Sequence, residues 1–266
     1  MIKDIFPKLK SLILDLDGVI WRDSTPIGDL PAIFSKIYSQ GLKVIFATNN
    51  ATKTIEEYQH KLQGFGLSIK TDQIINSSLA LGIHLSKLFP KGGNVFVVGE
   101  NSLKKMMSGF GFTHLDDFTN TIRPIAVIAA LDYSLTYEKI KIASLLIRSG
   151  TPFFGTNSDV TYPTPHGLWP GAGTIVKAIE TASQTDAIVI GKPSPMIFQV
   201  ALERLATSPQ ETMVIGDRFE TDIVGGQASN CLTGLVLSGV SNIAQADQWV
   251  PKPDIICPDL DSLISC

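Results

Sequence analysis

The sequence predicts an α/β protein with a doubly wound, mostly parallel sheet and a second α/β domain inserted into it. Two observations support this fold class. Short apolar runs alternate with helix-like segments along the chain, which is typical of strand–helix–strand units. A break rich in Pro and Gly near residue 90 interrupts the first series of runs, and a similar series resumes after residue 183. The predicted domains are a discontinuous core, 1–87 with 184–266, and an inserted α/β cap, 88–183.

The N-terminal part of the core is predicted to form one strand–helix–strand unit. The apolar run Leu12–Leu14 leads into two carboxylates and a glycine, which indicates a buried strand that ends in a turn. Residues 26–40 have helical periodicity, and the apolar run 43–48 is a second strand. About 30 residues separate the two strands, which is the length of one such unit and leaves no room for an inserted domain.

The remaining elements are assigned from the same patterns. The predicted helices are 54–64, 137–148, 174–183 and 195–206. The predicted strands are 74–75, 95–98, 126–131, 152–155, 188–190, 212–215, 232–237 and 254–257. Residues 156–173 are rich in Pro and Gly, and we expect them to form the longest irregular stretch.

The composition is that of a globular protein, since 44% of the 266 residues are hydrophobic and 18% are charged. A net charge of −3 gives no electrostatic support for binding nucleic acid or an anionic membrane. No apolar run is long enough to span a bilayer, and the N-terminus lacks the uninterrupted apolar segment of a signal peptide. The three cysteines are widely spaced and contain no C-x-x-C pair, which favours free thiols. We therefore expect a cytoplasmic protein.

Four of the predicted core strands are each followed by a cluster of polar residues. The clusters are D-L-D at 15–17, T-N-N at 48–50, G-K-P at 191–193 and G-D-R-F-E-T-D at 216–222. Because the carboxyl ends of parallel strands meet at one edge of a sheet, we expect the clusters to converge there. Together they supply carboxylates, a lysine, a hydroxyl and amides. Phosphoryl transfer needs this set of groups for a nucleophile, a proton donor, metal ligands and phosphate contacts.

These residues and their order resemble the haloacid dehalogenase (HAD) superfamily of phosphohydrolases over nearly the whole chain. Its four motifs match D-L-D-G at 15–18, Thr48, Lys192 in G-K-P-S-P, and the cluster at 216–222. Further matches resemble the branch of nitrophenyl phosphatases, phosphoglycolate phosphatases and NagD-like phosphatases: Y-E-K at 137–139, G-T-N-S-D at 155–159 and P-G-A-G at 170–173. That branch carries a C2-type cap after the second motif, which agrees with the inserted region 88–183.

The resemblance implies a catalytic role for each motif. Asp15 would attack phosphorus and form an aspartyl-phosphate. Asp17 would protonate the leaving oxygen and then deprotonate the water that hydrolyses the intermediate. Thr48, with the N–H groups of Asn49 and Asn50, would bind the phosphoryl oxygens. Lys192 would offset the negative charge between nucleophile and phosphate.

The same resemblance implies a Mg²⁺ ion held by oxygen ligands. These would be the Asp15 carboxylate, the Asp17 backbone carbonyl and the Asp217 carboxylate, completed by waters and the substrate phosphate. Asp222 would orient a metal-bound water without binding the metal directly. Asp15 and Asp17 also repel each other as acids one residue apart, and a divalent cation would relieve that repulsion.

Each motif residue also has a purely structural interpretation. Asp15 could stabilise a turn, and Thr48 could be the N-cap of a helix. Lys192 could be a solvated surface lysine, and Asp222 could cap a helix that begins at Ile223. The presence of all four motifs in order favours the catalytic interpretation.

The inserted region gives no specific indication of the substrate. Asp132 could face the core or stabilise its own turn, and the glycines at 170–173 could bind an anion or shape the return to the core. Four residues of the 156–173 stretch could contact the leaving group or only pack within it: Asn157, Asp159, His166 and Trp169.

The chain is therefore predicted to be a Mg²⁺-dependent phosphatase for a small phosphate monoester of nitrophenyl phosphate, phosphoglycolate, nucleotide or sugar phosphate type. We expect a small phosphorylated metabolite as its partner, no nucleic acid or membrane, and a homodimer formed through the cap. Two other enzyme classes are disfavoured. A dehalogenase of this fold needs neither a metal nor an acid at Asp17, so the presence of Asp17 with Asp217 and Asp222 argues against it. An ion-pumping ATPase needs a membrane span, and no apolar run is long enough to form one. The alternative is a non-catalytic sensor of phosphorylated metabolites.

Overall fold

The computed structural model describes residues 1–115, 123–164 and 166–266. Residues 116–122 and 165, which belong to the predicted cap, lie outside the described residues. The chain forms two compact units. The first comprises Met1–Thr48, Ile55–Ile75 and Lys192–Cys266, and the second comprises Asn49–Thr54 and Asn76–Gly191. These limits differ from the predicted domain boundaries at 88 and 183, which stay a prediction.

The strands account for two larger sheets and two hairpins. Within the described residues the strands are, in chain order, β1 (Ser11–Leu14), β2 (Trp21–Arg22), β3 (Thr25–Pro26), β4 (Lys43–Thr48), β5 (Ile74–Asn76), β6 (Gly93–Val98), β7 (Phe112–His114), β8 (Ala126–Ala129), β9 (Phe153–Gly155), β10 (Thr161–Thr164), β11 (Gly167–Pro170), β12 (Ile188–Val189), β13 (Thr212–Gly216), β14 (Leu232–Val236) and β15 (Ile255–Cys257).

The helices alternate with these strands along the chain. They are α1 (Ile2–Ile5), α2 (Leu30–Ser39), α3 (Ile55–Gly64), α4 (Ser77–Leu88), α5 (Asn101–Gly109), α6 (Tyr137–Arg148), α7 (Ala172–Ser183), α8 (Pro195–Leu205), α9 (Val224–Ala228), α10 (Ile243–Gln248) and α11 (Leu260–Ser265). Among the described residues, no helix combines the length and the apolar composition that crossing a membrane requires.

The sheet of the first unit has six strands in the order β15-β14-β13-β1-β4-β5. Strand β1 is parallel to β13 on one side and to β4 on the other. The pairs β13–β14 and β14–β15 are also parallel. From β1 the sheet extends in one direction through β4 and β5, which come early in the chain. It extends in the other direction through β13, β14 and β15, which come late. The predicted α/β fold class with a mostly parallel sheet is thus confirmed, and the topological switch point lies beside β1.

Burial explains the short apolar strands of this sheet. All four residues of β1 and five of the six in β4 are buried, as expected for a parallel sheet with helices on its faces. Helix α2 begins at Leu30 because the Asp29 carboxylate accepts a hydrogen bond from Ala32 N at 3.1 Å and caps it. The predicted start at residue 26 is therefore too early, since Pro26 pairs with Trp21 in the β2–β3 hairpin.

The second unit contains a five-stranded parallel sheet in the order β12-β9-β8-β6-β7. Its core joins Val127 of β8 and Phe153 of β9 to Leu146 of α6 and Ile179 of α7. The run 188–190 is predicted to belong to the core sheet, and this prediction is wrong, because Ile188–Val189 pairs with β9. An apolar run of two or three residues is compatible with either sheet, so its pattern carries no information on its neighbours.

The sequence predicted an irregular stretch over residues 156–173, but part of this stretch forms regular strands. Strands β10 and β11 form an antiparallel hairpin within this stretch, and Tyr162 pairs with Trp169 across it. The two rings make an edge contact with centroids 6.3 Å apart. Gly167 and Pro170 belong to β11 although both residue types disfavour strands, and this composition concealed the hairpin.

Replacing Ile13 by Ala is expected to lower the free energy of unfolding of the first unit by about 2–5 kcal/mol. Ile13 is 1% exposed in the central strand, so its loss would leave a cavity. The matched control, Ile243→Ala, changes a side chain that is 57% exposed and should cost less than about 0.5 kcal/mol. Urea denaturation followed by circular dichroism measures both variants. Equal losses would contradict the central position of β1.

Candidate active site

Asp15 and Asp217 are brought together by neighbouring parallel strands. Asp15 follows β1 and Asp217 follows β13, so both lie where the carboxyl ends of these strands meet. The pairing continues into the site, because Asp15 N donates to the Ile215 carbonyl at 2.9 Å. The first and fourth polar clusters of the sequence therefore converge at the switch point of the sheet.

Lys192 reaches the same site without following a strand of the six-stranded sheet. Its Nζ donates to Oδ1 of Asp15 and to Oδ1 of Asp222, both at 2.6 Å. The Lys192 side chain is 3% exposed, so the interpretation as a solvated surface lysine is wrong. Removing each of these three charges from water costs free energy. The attraction between the ammonium and the two carboxylates offsets this desolvation cost.

Asp222 lies inside a π-helical turn, Phe219–Ile223, and not at the start of a helix. Helix α9 begins only at Val224 and has no side-chain cap, so the N-cap interpretation is wrong. Besides its contact with Lys192, Asp222 accepts a hydrogen bond at Oδ2 from the Thr221 hydroxyl at 3.1 Å. π-Helical turns are rare and occur frequently at functional sites.

The three acids are crowded enough to perturb one another. One oxygen from each of Asp15, Asp217 and Asp222 lies within 4.8 Å of the others. Burial raises the pKa of Asp15 well above its usual value; Lys192 opposes this rise, and the other two carboxylates add to it. Burial, with a further contribution from Asp222, raises the pKa of Asp217 to about 6. Burial lowers the pKa of Lys192, but its two carboxylate partners outweigh this and raise it. One ammonium does not balance three carboxylates, so the site favours a further cation.

The donor set fits a hard divalent cation. Oδ1 of Asp217 is buried and has no hydrogen-bond partner in the described part of the chain, whereas Oδ2 accepts one from Val240 N at 2.7 Å. An unsatisfied buried oxygen is costly unless a ligand completes it. Gly18 has a φ of +87°, and a Cβ there would lie 2.5 Å from Oδ2 of Asp217, so only glycine permits this close turn. Carboxylate oxygens such as those of Asp15 and Asp217 are ligands of the kind that Mg²⁺ prefers.

Asp17 lies apart from the carboxylate cluster. Its side chain is exposed, and its Oδ1 accepts a hydrogen bond from Trp21 Nε1 at 2.7 Å. The carboxylate is not one of the three that approach each other. This arrangement agrees with a role for the Asp17 side chain other than metal binding.

Tyr58 is a residue of the site that the sequence analysis did not identify. It lies on α3, is 2% exposed and forms a hydrogen bond with Thr48, the last residue of β4. Burial raises the pKa of the Tyr58 phenol well above its usual value, and Asp17 and Asp15 raise it further, so the phenol stays neutral. Because α3 begins at Ile55, Thr48 is not its N-cap. The position of Tyr58 on the apolar face of α3 is typical of core packing, so no sequence signal indicated the site.

Asn49 and Asn50 belong to the second unit. The Asn49 side chain donates to Oδ2 of Asp159 at 3.1 Å, and its carbonyl accepts a hydrogen bond from Asn157 Nδ2 at 2.9 Å. Asn50 Oδ1 accepts from the backbone N and the hydroxyl of Thr52 at 2.9 and 2.7 Å. Asn157 and Asp159 therefore stabilise the turn that carries the two predicted phosphate-binding asparagines.

The other candidate residues of the second unit are placed as follows. Asp132 stabilises its own turn, since its carboxylate accepts from Ser134 N at 2.9 Å and from Lys139 Nζ at 2.7 Å. His166 is exposed in the turn between β10 and β11. Trp169 is 43% exposed on β11. Contact between these residues and a leaving group stays a prediction.

Two stretches of the chain match profiles of one protein family. Residues 12–113 match that of the haloacid dehalogenase-like hydrolases, and residues 189–263 match a second profile, described as HAD-hydrolase-like. The two matches contain all the motif residues from Asp15 to Asp222.

Several proteins of similar sequence and structure are phosphatases by name. Phosphoglycolate phosphatase 2 of Arabidopsis thaliana is 33% identical over 90% of this chain and 86% of the relative. The structure of 4-nitrophenylphosphatase from Thermotoga maritima has a TM-score of 0.91 at 28% identity and covers 98% of each chain. Glycerol phosphate phosphatase from Mycobacterium tuberculosis, solved in complex with magnesium, has a TM-score of 0.88 at 31% identity over 96% of this chain and 76% of that one. With these relatives and its clustered motif residues, the chain belongs to the haloacid dehalogenase-like hydrolases and is an enzyme of their phosphatase group.

Proposed function

We propose that the protein hydrolyses a small phosphate monoester with the help of Mg²⁺, through an aspartyl-phosphate on Asp15. One observation carries the proposal: Asp15 lies at the end of the central strand, bonded to Lys192 at 2.6 Å, with carboxylates of Asp217 and Asp222 within 4.8 Å. This arrangement supplies a fixed nucleophile, a cation for the phosphoryl charge and ligands for a metal.

In the first step, Asp15 attacks phosphorus, and the bond between phosphorus and the leaving oxygen breaks. Lys192 orients the attacking carboxylate by holding its Oδ1. Asp17 gives its proton to the leaving oxygen, which then departs as a neutral alcohol or phenol. The exposed position of Asp17 supports this role, because a leaving oxygen and an attacking water must both be able to reach its carboxyl group.

In the second step, a water oxygen attacks the phosphorus of the aspartyl-phosphate. Asp17, now a carboxylate, removes a proton from this water, and the bond between phosphorus and Asp15 breaks. Inorganic phosphate is released, and Asp17 is again protonated. Thr48 and the N–H groups of Asn49 and Asn50 would bind the phosphoryl oxygens in both steps, as their positions in the second motif support.

The residues that would hold the metal are Asp15, Asp217 and the backbone carbonyl of Asp17, with Asp222 placed to orient a bound water. The unsatisfied Oδ1 of Asp217 supports this assignment. A bound Mg²⁺ would neutralise carboxylate charge and polarise a phosphoryl oxygen. The magnesium complex of the glycerol phosphate phosphatase is consistent with the same ion here.

The substrate is proposed only as a class. The relatives named above are a phosphoglycolate, a 4-nitrophenyl and a glycerol phosphate phosphatase, and their leaving groups share little besides small size. A small phosphorylated metabolite is therefore the proposed partner. A cytoplasmic location and a homodimer through the cap are further proposals, and a phosphometabolite sensor is the alternative function.

Asp15→Asn is expected to lower phosphate release by about 1,000-fold or more, because it removes the nucleophile. Phosphate release would be measured for wild type and variant on phosphoglycolate, 4-nitrophenyl phosphate, glycerol phosphate and nucleoside monophosphates, with Mg²⁺ and with EDTA. Asp261→Asn changes an exposed carboxylate and is the matched control, with activity close to that of wild type. Turnover that survives the loss of Asp15 would contradict the mechanism. A wild-type protein that binds these compounds without hydrolysing them would instead be a sensor.

Asp217→Asn is expected to weaken Mg²⁺ binding by about 10-fold or more, because a neutral amide replaces one of the charged oxygen ligands. Isothermal titration calorimetry with MgCl₂ alone measures this affinity without any substrate. Asp261→Asn again serves as the control and should bind Mg²⁺ like wild type. Unchanged affinity in Asp217→Asn would remove Asp217 from the metal site.

Lys192→Met is expected to lower the free energy of unfolding by about 3–5 kcal/mol in EDTA, because it leaves two buried carboxylates without their cation. Lys177→Met, which removes the exposed partner of Glu180, should leave the urea midpoint unchanged. A Lys192→Met protein as stable as wild type would show that Asp15 and Asp222 do not depend on the ammonium.

A further inference from the structure

Trp21 forms the hydrogen bond that fixes Asp17, although the sequence analysis gave it no function. The indole Nε1 donates to Oδ1 of Asp17 at 2.7 Å, a short bond for an N–H donor. Within the described part of the first unit, Oδ2 of Asp17 accepts no hydrogen bond from the chain. One oxygen of the acid is thus held, and the other is left to exchange a proton.

The backbone places the indole beside Asp17 with little freedom. Gly18 N donates to the Trp21 carbonyl at 2.7 Å, and Trp21 N donates to the Leu16 carbonyl at 3.2 Å. These bonds close a tight turn from Leu16 to Trp21, immediately after β1. The same turn therefore carries the acid and the donor that holds it.

The indole ring is also fixed by its neighbours. Tyr58 stacks on it with centroids 6.4 Å apart and planes at 10°, and Phe65 contacts it at 6.0 Å. Lys61 Nζ lies 3.7 Å from the ring centroid and donates to the Asp23 carbonyl at 2.8 Å. Trp21 is 1% exposed as a result. A ring held on its faces presents its N–H in one direction only, which makes it a preorganised donor.

We infer that Trp21 is a positioning residue, whose indole N–H holds Asp17 in the orientation needed for proton transfer to and from the substrate oxygen. The inference rests on the proposed function, because it concerns the proton that Asp17 gives to the leaving oxygen and later takes from water. A packing role alone would require the ring but not the N–H group. The two roles can therefore be separated by removing only that group.

The test compares two aryl phosphates, phenyl phosphate and 4-nitrophenyl phosphate, whose leaving groups differ in acidity. 4-Nitrophenol leaves readily without a proton, whereas phenol depends more strongly on the general acid. Trp21→Phe keeps an aromatic ring and removes the N–H. We expect kcat/KM to fall about 10-fold or more on phenyl phosphate and less than about threefold on 4-nitrophenyl phosphate. Because Asp17 also activates the water, we further expect a burst of 4-nitrophenol in Trp21→Phe, followed by slow turnover.

Two further proteins separate positioning from packing. Phe65→Leu alters the ring contact and leaves the indole N–H in place, so it should change kcat/KM on both substrates by the same factor. Replacing Trp21 with 3-benzothienylalanine, in which sulfur takes the place of N–H, preserves the shape of the ring and should reproduce the leaving-group effect. This second variant keeps the test valid if Trp21→Phe proves unstable in thermal denaturation.

Equal losses on both substrates in the benzothienyl protein, with active wild type, would overturn the inference and leave the proposed function intact. Activity equal to that of wild type on both substrates in the benzothienyl protein would overturn it as well. A wild-type protein that hydrolyses neither aryl phosphate while folded and bound to Mg²⁺ would overturn the proposed function, and the inference with it.

Discussion

The buried contact of Lys192 with Asp15 and Asp222 is the constraint on which the rest of the site depends. Two neighbouring strands and a π-helical turn direct three carboxylates into one small volume, where they are largely removed from water. The single ammonium compensates part of this charge. The compensation is incomplete at Oδ1 of Asp217, which has no hydrogen-bond partner among the residues that the structure describes. The fold therefore maintains a local excess of negative charge, and binding a cation or a cation–phosphate pair is the direct way to relieve it.

Asp15 and Asp17 are separated by one residue, yet the structure gives them opposite physical environments. Asp15 follows a buried strand and is fixed by a salt bridge, which suits a nucleophile that must meet phosphorus along one line. Asp17 is exposed and bonded to a neutral donor, which suits a group that changes its protonation state twice in each cycle. The turn at Gly18 thus supports the different roles that we propose for these two acids of one motif.

Much of the fold could be predicted because its strands are buried and its helices are amphipathic. Runs such as Leu12–Leu14 and residues 43–48 are recognisable without knowledge of their neighbours. The sheet to which residues 188–190 belong could not be predicted. Strand pairing depends on residues far away in the sequence, and a short apolar run does not indicate which strand it pairs with. The β10–β11 hairpin was concealed by its Pro and Gly content. The motif spacing identified the acids and Lys192, whereas Trp21 and Tyr58 resembled ordinary core residues and only their contacts distinguish them.

The position of β1 in the sheet also has a consequence for the order in which the protein is made. Ser11–Leu14 is synthesised about 200 residues before its partner Thr212–Gly216 and about 180 residues before Lys192. One edge of the central strand thus remains open until β13 has been synthesised. The second unit lies almost entirely between these segments and can form its own sheet first. Because Lys192 precedes Asp217 and Asp222 in the chain, the ammonium is already synthesised when the three carboxylates can first meet.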